Sequence, residues 1–420
     1  MRDRTVRPPE NPIRCEITLP ASKSISNRLL MMQLFSDNKI KISNLSEAGD
    51  TILMQELISK IIDTRQNADM DEASELDCGN AGTVLRFLAS YLAGRRGNWI
   101  LTGSERMKKR PVATLCNALR SLGASIEYLE NEGFPPIAVR GKKLSGGRVL
   151  VDASESSQFV SSLMMLAPVL QNGLCIELSG EIASRPYLDM TLGLMTKAGM
   201  SASFIDNVIE IQSGSYQKSS FTVEPDWSAA SYWYEIVALL PASGVLLRDL
   251  TLKSLQGDAI LAEIYSNFGV GSYQTAEGVL LLHEAEPREK FNFDFTNYPD
   301  LVPAIAASCV ALNIEAQLSG LKNLVIKESN RLLALKTELE KINPNISILD
   351  SGILKIGKSD FKQGNPLRFQ TYNDHRMAMA LAPLALCCGE LTVENPEVVV
   401  KSYPDFWDHL LLAGFRFANF

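Results

Sequence analysis

Hydrophobic and polar positions along the chain spell one four-part phrase that recurs. A helix of small apolar residues leads into a short strand, then an amphipathic helix that stops at Gly or Asn, then a further strand. The clearest copy predicts a helix over 159–170, a strand over 174–178, a helix over 186–198 with Gly199 as its stop, and a strand over 202–205. Upstream, the phrase reads 85–92, 99–102, 112–122 stopped by Gly123, and 125–129. Downstream it reads 230–240, 245–250 and 260–268 with Gly269, then 301–312, 315–318 and 331–342 with Asn343. A last full copy reads 377–386, 391–394 and 406–413 with Gly414, and an N-terminal version, 27–35, 40–42 and 51–62, makes six. Gly or Asn after a helix supplies the left-handed residue that satisfies the final carbonyls.

The copies begin near Arg28, Arg86, Gln158, Ala230, Asp300 and His375, which lie 58, 72, 72, 70 and 75 residues apart. Units of about 70 residues are too long for single-hairpin solenoid repeats, and a domain holds roughly 100–200 residues, so three copies per domain is the economical grouping. An α/β protein of two similar domains is expected. The boundary belongs in the polar, proline-bearing stretch Val223-Glu224-Pro225-Asp226, between the third and fourth copies.

Several helix starts carry cations, against the helix dipole. Asp374-His375-Arg376 opens the run 377–386, Lys23 and Arg28 flank Ser24-Ile25-Ser26-Asn27, and Arg86 follows Gly79-Asn80-Ala81-Gly82-Thr83. Arg110 precedes Pro111, Lys327 and Arg331 bracket Glu328-Ser329-Asn330, and Lys401 precedes Tyr403-Pro404-Asp405. A cation there costs roughly 0.3–1 kcal/mol, whereas a bound phosphate or carboxylate makes both interactions favourable. The pattern is that of a protein built to hold small anions. Because basic clusters occur in both halves, a cleft between the domains is the expected place for them.

Composition narrows the partners. The 420 residues are 46% hydrophobic and 21% charged, as in an ordinary globular enzyme. A net charge of -7 with a pI near 5.3 argues against nucleic acid or an anionic membrane as the main partner. Seven cysteines without a CxxC, and only three histidines, indicate neither a disulfide framework nor a zinc site. The N-terminal Met-Arg-Asp-Arg-Thr-Val-Arg-Pro-Pro-Glu has no apolar signal core, and the longest apolar stretch, 377–388, is too short to span a bilayer. A soluble protein of the reducing cytoplasm is expected.

Taken singly, the motifs stay ambiguous. Gly352 to Ser359 matches the nucleotide P-loop letter for letter, yet its intervening residues are strand-like. The following Phe361-Lys362-Gln363-Gly364-Asn365-Pro366 is also unsuited to the required helix, so a hairpin with an exposed Lys-Ser is expected instead. Gly82, lacking a Cβ, exposes backbone amides at a helix start, or belongs simply to a turn and cap. Ser156, Ser157 and Gln158, and Ser184 with Tyr187, offer donors at two helix starts, or are plain caps. Asp300 is favourable as a first-turn acid, while in a cleft crowded with cations its pKa would fall and leave an ionised base. Glu328 reads as a first-turn acid or a proton carrier, and His375 as a site residue or a packed histidine.

Read together, the phrases are no longer independent. Pro20-Ala21-Ser22-Lys23-Ser24-Ile25-Ser26-Asn27-Arg28, Gly79-Asn80-Ala81-Gly82-Thr83-Val84-Leu85-Arg86, Arg106-Met107-Lys108-Lys109-Arg110-Pro111, Ser156-Ser157-Gln158-Phe159, Lys327-Glu328-Ser329-Asn330-Arg331 and Asn373-Asp374-His375-Arg376-Met377-Ala378 closely resemble the 5-enolpyruvylshikimate-3-phosphate (EPSP) synthase family, in order and over nearly the whole chain. The resemblance implies two domains of three βαβαββ units each, an inside-out α/β barrel, with the active site in the cleft between them. It puts residues 15–225 on the shikimate 3-phosphate side, and 1–14 with 226–420 on the side of phosphoenolpyruvate and the catalytic base.

The implied reaction moves the enolpyruvyl group of phosphoenolpyruvate to the 5-hydroxyl of shikimate 3-phosphate and releases phosphate through a tetrahedral intermediate, on the route to chorismate and the aromatic amino acids. No metal or organic cofactor is implied. A monomer acting on small molecules, with no nucleic acid or membrane partner, is expected. Carried over by position, Lys23, Ser24 and Arg28 hold shikimate 3-phosphate, with Ser156, Ser157 and Ser184 on its phosphate and Tyr187 and Asn323 nearby. Gly82, Arg110, Gln158, Arg331, Arg376 and Lys401 hold phosphoenolpyruvate, and Lys327 lies between the substrates. Asp300 takes the hydroxyl proton, Lys23 or Glu328 delivers a proton to the methylene carbon, and His375 orients its neighbours.

This chain departs from the family pattern at Ala21, usually glycine, and at Phe87, usually proline. Both departures bear on how phosphoenolpyruvate or an analogue fits. The sister transferase acting on UDP-N-acetylglucosamine uses a cysteine on a mobile loop, whereas Cys116 falls inside the predicted helix 112–122. A catalytically dead anion-binding protein would need a broken constellation, and Lys23, Asp300, Glu328 and His375 are all present.

Overall fold

The computed structural model describes residues 3–67, 72–349, 352–360 and 366–418. The chain divides into two compact units, one continuous (Lys23–Val223) and one split (Met1–Ser22 with Glu224–Phe420). The first crossing comes later than the expected position after Arg14. Strand Arg14–Ile17 pairs in parallel with Gly244–Arg248, so it belongs to a sheet of the split unit.

One topology repeats. Strand Gly147–Asp152 leads to helix Ser157–Leu166, strand Leu174–Ser179 parallel to the first, helix Arg185–Lys197, and the hairpin Ala202–Ile205 with Val208–Ile211, whose second arm returns antiparallel to Leu174–Ser179. The same βαβαββ sheet is built at 74–141, at 290–356, and at 227–283 with Arg14–Ile17 as its leading strand. In the last copy Arg4–Arg7 takes the inner position, antiparallel to both Leu391–Val393 and Arg416–Ala418. The first copy has, among the described residues, a two-stranded parallel sheet of Ile40–Ser43 with Ser219–Thr222. The four-part phrase thus missed the leading strand of each unit and the final arm of the five four-stranded ones. Strands as short as Ser74–Asp77 carry too few apolar positions for a period of two to show.

Helix ends follow local chemistry. Gly123, Gly199, Gly269 and Gly414 stand at φ of +97°, +82°, +81° and +93° after their helices. Asn343 does not adopt that conformation; its amide donates to Gly357 O at 2.6 Å and accepts from Asn345 N at 2.9 Å, so the turn is held by side-chain bonds instead.

The small-residue helix of each copy goes to the core. Trp227–Leu239, Val302–Ala311 and His375–Leu381 pack on one another in the split unit and are almost wholly buried. Lys23–Phe35, Gly82–Ala93 and Ser157–Leu166 do the same in the continuous unit. In the continuous unit Lys23, Gly82 and Ser157 open these helices, and in the split unit Arg376 opens one and Asp300 stands just before another. The segment matching a P-loop is a hairpin, Ile346–Leu349 with Ile353–Ile356, followed by an exposed Lys358. Residues 361–365, where no helix was expected, lie outside the described residues. No helix of the described residues is long and apolar enough to cross a membrane.

Candidate active site

In the continuous unit, the starts of Gly82–Ala93 and Ser157–Leu166 are tied together. Arg86 Nη1 donates to Gln158 Oε1 at 2.7 Å, and Gln158 Nε2 donates to Thr83 Oγ1 at 3.0 Å. Arg110 Nη1 reaches Asn80 O at 3.3 Å, and Arg86 Nη2 reaches Pro111 O at 3.4 Å. Gly82 is the corner these cations share. A Cβ there would lie 2.4 Å from Arg86 Nη1 and 2.8 Å from both Arg110 terminal nitrogens, so glycine lets both guanidiniums close in at this corner, and φ places no demand on it. The result is a pair of guanidiniums gathered at a helix N-terminus, an arrangement suited to a carboxylate or phosphate.

Nearby helices carry the other candidates. Lys23 Nζ pairs with Asp50 Oδ2 at 3.2 Å, and Arg28 is fully enclosed by Ser24, Ser161, Tyr187 and Thr191. Ser156 does cap its helix, accepting from Gln158 N at 3.3 Å. Ser184 does not cap; it holds φ at +58° and makes no side-chain cap bond at the start of Arg185–Lys197, which packs on Ser157–Leu166. A non-glycine residue in that conformation is worth notice at a ligand site.

The split unit gathers three carboxylates around buried Arg331, which is 1% exposed. Arg331 bonds Asp374 through Nε at 2.9 Å and Nη2 at 3.2 Å, Glu328 Oε2 at 2.9 Å, and Asp300 Oδ1 at 3.3 Å. Burial opposes its charge, yet Asp374, Glu328 and Asp300 together hold its pKa above the ordinary arginine value. Asp374 also caps its helix, accepting from Arg376 N at 3.0 Å, and takes Ser329 Oγ at 3.1 Å. The anion at this helix start is therefore, first of all, a side chain of the protein. By the helix dipole alone, a bound ligand fits that place equally well.

Around this centre, Arg376 Nη2 meets Asp300 Oδ2 at 2.9 Å, and Lys401 Nζ meets Glu328 Oε1 at 3.1 Å. Burial by itself would raise the Asp300 pKa, but Arg376, Lys327 and Arg331 outweigh it and hold the carboxylate well below its usual range. His375 is buried beside Asp374, with Nδ1 at 3.7 Å from Oδ1. Asn323 lies on the short helix Lys322–Ile326, just before Lys327, and is half-buried. Four cations, Lys327, Arg331, Arg376 and Lys401, thus interleave with the carboxylates Asp300, Glu328 and Asp374.

Sequence reasoning passed over several partners. Asp50, Thr83 and Asp374 hold Lys23, Gln158 and Arg331, and nothing in their spacing announces it. Asp258 is a further one: buried at the turn Gly257–Ile260, it accepts a hydrogen bond from Ser228 Oγ. Burial and the neighbouring Asp300 push its pKa up to about 7, against the pull of Ser228 and Arg376. Cys116 is buried within helix Ala113–Ser121, and burial pushes its thiol up to about 11, which suits a packed side chain and not a nucleophile.

Comparison with known proteins gives the family. The family model described as EPSP synthase (3-phosphoshikimate 1-carboxyvinyltransferase) matches residues 8–410. A 3-phosphoshikimate 1-carboxyvinyltransferase of Bacteroides fragilis is 42% identical over 405 residues, covering 96% of each chain. One of Colwellia psychrerythraea is 33% identical over 420 residues, covering 96% of this chain and 97% of its own. The solved EPSP synthase of Acinetobacter baumannii superposes with a TM-score of 0.75 over 100% of both chains at 20% identity, a likeness of fold.

Proposed function

The chain belongs to the EPSP synthase family, and from that premise we propose that it works as a 3-phosphoshikimate 1-carboxyvinyltransferase through the residues gathered above. The enzyme transfers the enolpyruvyl group of phosphoenolpyruvate to the 5-hydroxyl of shikimate 3-phosphate and releases phosphate, a step of the shikimate pathway to the aromatic amino acids.

The observation that carries the reading is Asp300, an ionised carboxylate 2.9 Å from Arg376 and 3.3 Å from Arg331. A base that must take an alcohol proton beside two anionic substrates needs cations to hold them and to keep itself charged. Asp300 takes the 5-hydroxyl proton as that oxygen attacks C2 of phosphoenolpyruvate, while Glu328 or Lys23 supplies a proton to the methylene carbon. The tetrahedral adduct then loses phosphate, and the methyl group returns a proton as the double bond re-forms. Gly82, Arg110, Gln158, Arg376 and Lys401 hold phosphoenolpyruvate. Arg331, inside the carboxylate cluster, holds that substrate chiefly by fixing Asp300 and Glu328.

Lys23, Ser24, Arg28, Tyr187 and Asn323 hold shikimate 3-phosphate, with Ser156, Ser157 and Ser184 on its phosphate, Lys327 between the substrates, and His375 steadying Asp374. Side-chain cations supply the charge stabilisation, so the reading calls for no cofactor, and a monomer suffices because every residue named belongs to one chain. Seven free cysteines support a reducing, cytoplasmic setting.

A phosphate-release assay tests the activity, with phosphoenolpyruvate and, in turn, shikimate 3-phosphate, UDP-N-acetylglucosamine or no acceptor. Release is expected with the first acceptor alone. Release with the second, or none with the first, overturns the reading.

A further inference from the structure

Unlike Arg331 and Arg376, which meet carboxylates, Arg28 is held by neutral groups. It is 2% exposed, and its guanidinium donates to Thr191 Oγ1 at 2.7 Å, Ser24 O at 3.0 Å, Ser161 Oγ at 3.2 Å and Tyr187 O at 3.4 Å. All of these acceptors are neutral. Burial accordingly lowers its pKa to about 10, which still leaves it charged at neutral pH.

What faces the guanidinium otherwise is aromatic. Arg28 Cζ lies 5.6 Å from the centroid of Phe87 and 5.7 Å from that of Tyr187, both within cation–π range. Phe87 is 1% exposed, so its ring is fixed by packing. It follows Arg86 on helix Gly82–Ala93, and successive helix residues point about 100° apart. One helix therefore sends Arg86 to the Gln158 corner and Phe87 to Arg28. The family's usual residue at this position, proline, has no aromatic face to offer.

We propose that Phe87 is a positioning residue for the shikimate 3-phosphate site, holding the Arg28 guanidinium against Tyr187 with its aromatic face. The departure from the family pattern at 87 is thus felt through shikimate 3-phosphate and not through phosphoenolpyruvate. This rests on the activity and the Arg28 role set out above. The hydrogen bonds to Thr191, Ser24, Ser161 and Tyr187 hold the edges of the guanidinium, and the negative faces of the rings hold its plane, so loss of one ring lets it tilt away from an incoming anion.

The test compares wild type with Phe87→Leu, Phe87→Met and Phe87→Tyr. Shikimate 3-phosphate binding is measured by calorimetry, and steady-state phosphate release with each substrate varied. The two ring-free variants should raise the Kd and KM for shikimate 3-phosphate roughly 5- to 30-fold. Their KM for phosphoenolpyruvate and their kcat should stay within about twofold of wild type, and Phe87→Tyr, which keeps the ring, should restore binding. General loosening of helix Gly82–Ala93 would instead raise the KM for phosphoenolpyruvate, because Gly82 and Arg86 lie on it, and that result overturns the proposal. So does wild-type affinity for shikimate 3-phosphate in a folded Phe87→Leu or Phe87→Met protein. A wild type that binds shikimate 3-phosphate without turnover counts against the activity alone, whereas one that does not bind it overturns both readings.

Discussion

Arg376 grips Asp300 twice, its Nη2 lying 2.9 Å from the carboxylate and its Nη1 3.3 Å from the backbone carbonyl. The two residues come from different repeats, 76 positions apart. The bond therefore fixes both the charge and the position of the carboxylate, and a base needs both.

Asp300→Ala should leave both substrates bound and slow turnover by about 10²–10⁴-fold, the usual contribution of a positioned base. Steady-state kinetics with separate binding measurements check this, and unchanged kcat removes Asp300 from the role. The depressed pKa also carries a sign. The stability it contributes is present above the unfolded value, about pH 4, and is lost as pH falls toward the lower folded value.

Gly82→Ala should raise the KM for phosphoenolpyruvate tenfold or more while leaving stability nearly unchanged. The new Cβ pushes on Arg86 and Arg110, at 2.4 and 2.8 Å, but φ at 82 is not in the left-handed region. A misplacement of this order costs up to about 10²-fold in a positioned site. Arg110→Ala should act on the same substrate, and an effect confined to shikimate 3-phosphate would contradict the assignment.

Asp374→Ala should destabilise the fold by about 3–5 kcal/mol, since it strips buried Arg331 of its two-point partner. Urea unfolding measures it. A loss below about 1 kcal/mol would mean that Glu328 and Asp300 suffice to hold Arg331 in place.

Asp258 should give the opposite pH slope to Asp300. Its folded pKa, about 7, lies above the usual carboxylate value, so the stability it gives is full below about pH 4 and fades as pH rises through 7. Asp258→Asn should flatten the thermal stability profile between pH 5 and 8 relative to wild type. A profile that keeps its slope in the variant assigns the effect to another group.

The repeating phrase in the sequence determined the α/β class, the positions of the helices and the glycine stops at 123, 199, 269 and 414. Each of these rests on residues within one turn or one hairpin of one another. The same holds for the motifs: Lys23, Gly82, Ser157, Asp300 and Arg376 are legible because each lies at a helix start with a recognisable local phrase. The tertiary structure alone decided what those groups touch. Arg331 with Asp374, Arg376 with Asp300, Arg86 with Gln158 and Arg28 with Phe87 are separated by 43, 76, 72 and 59 residues along the chain. Such pairs leave no periodicity, because their spacing is set by how whole repeats pack. Arg4–Arg7 and Arg14–Ile17 were lost to the sequence reading for the same reason, as each completes a sheet whose other strands lie more than 200 residues away.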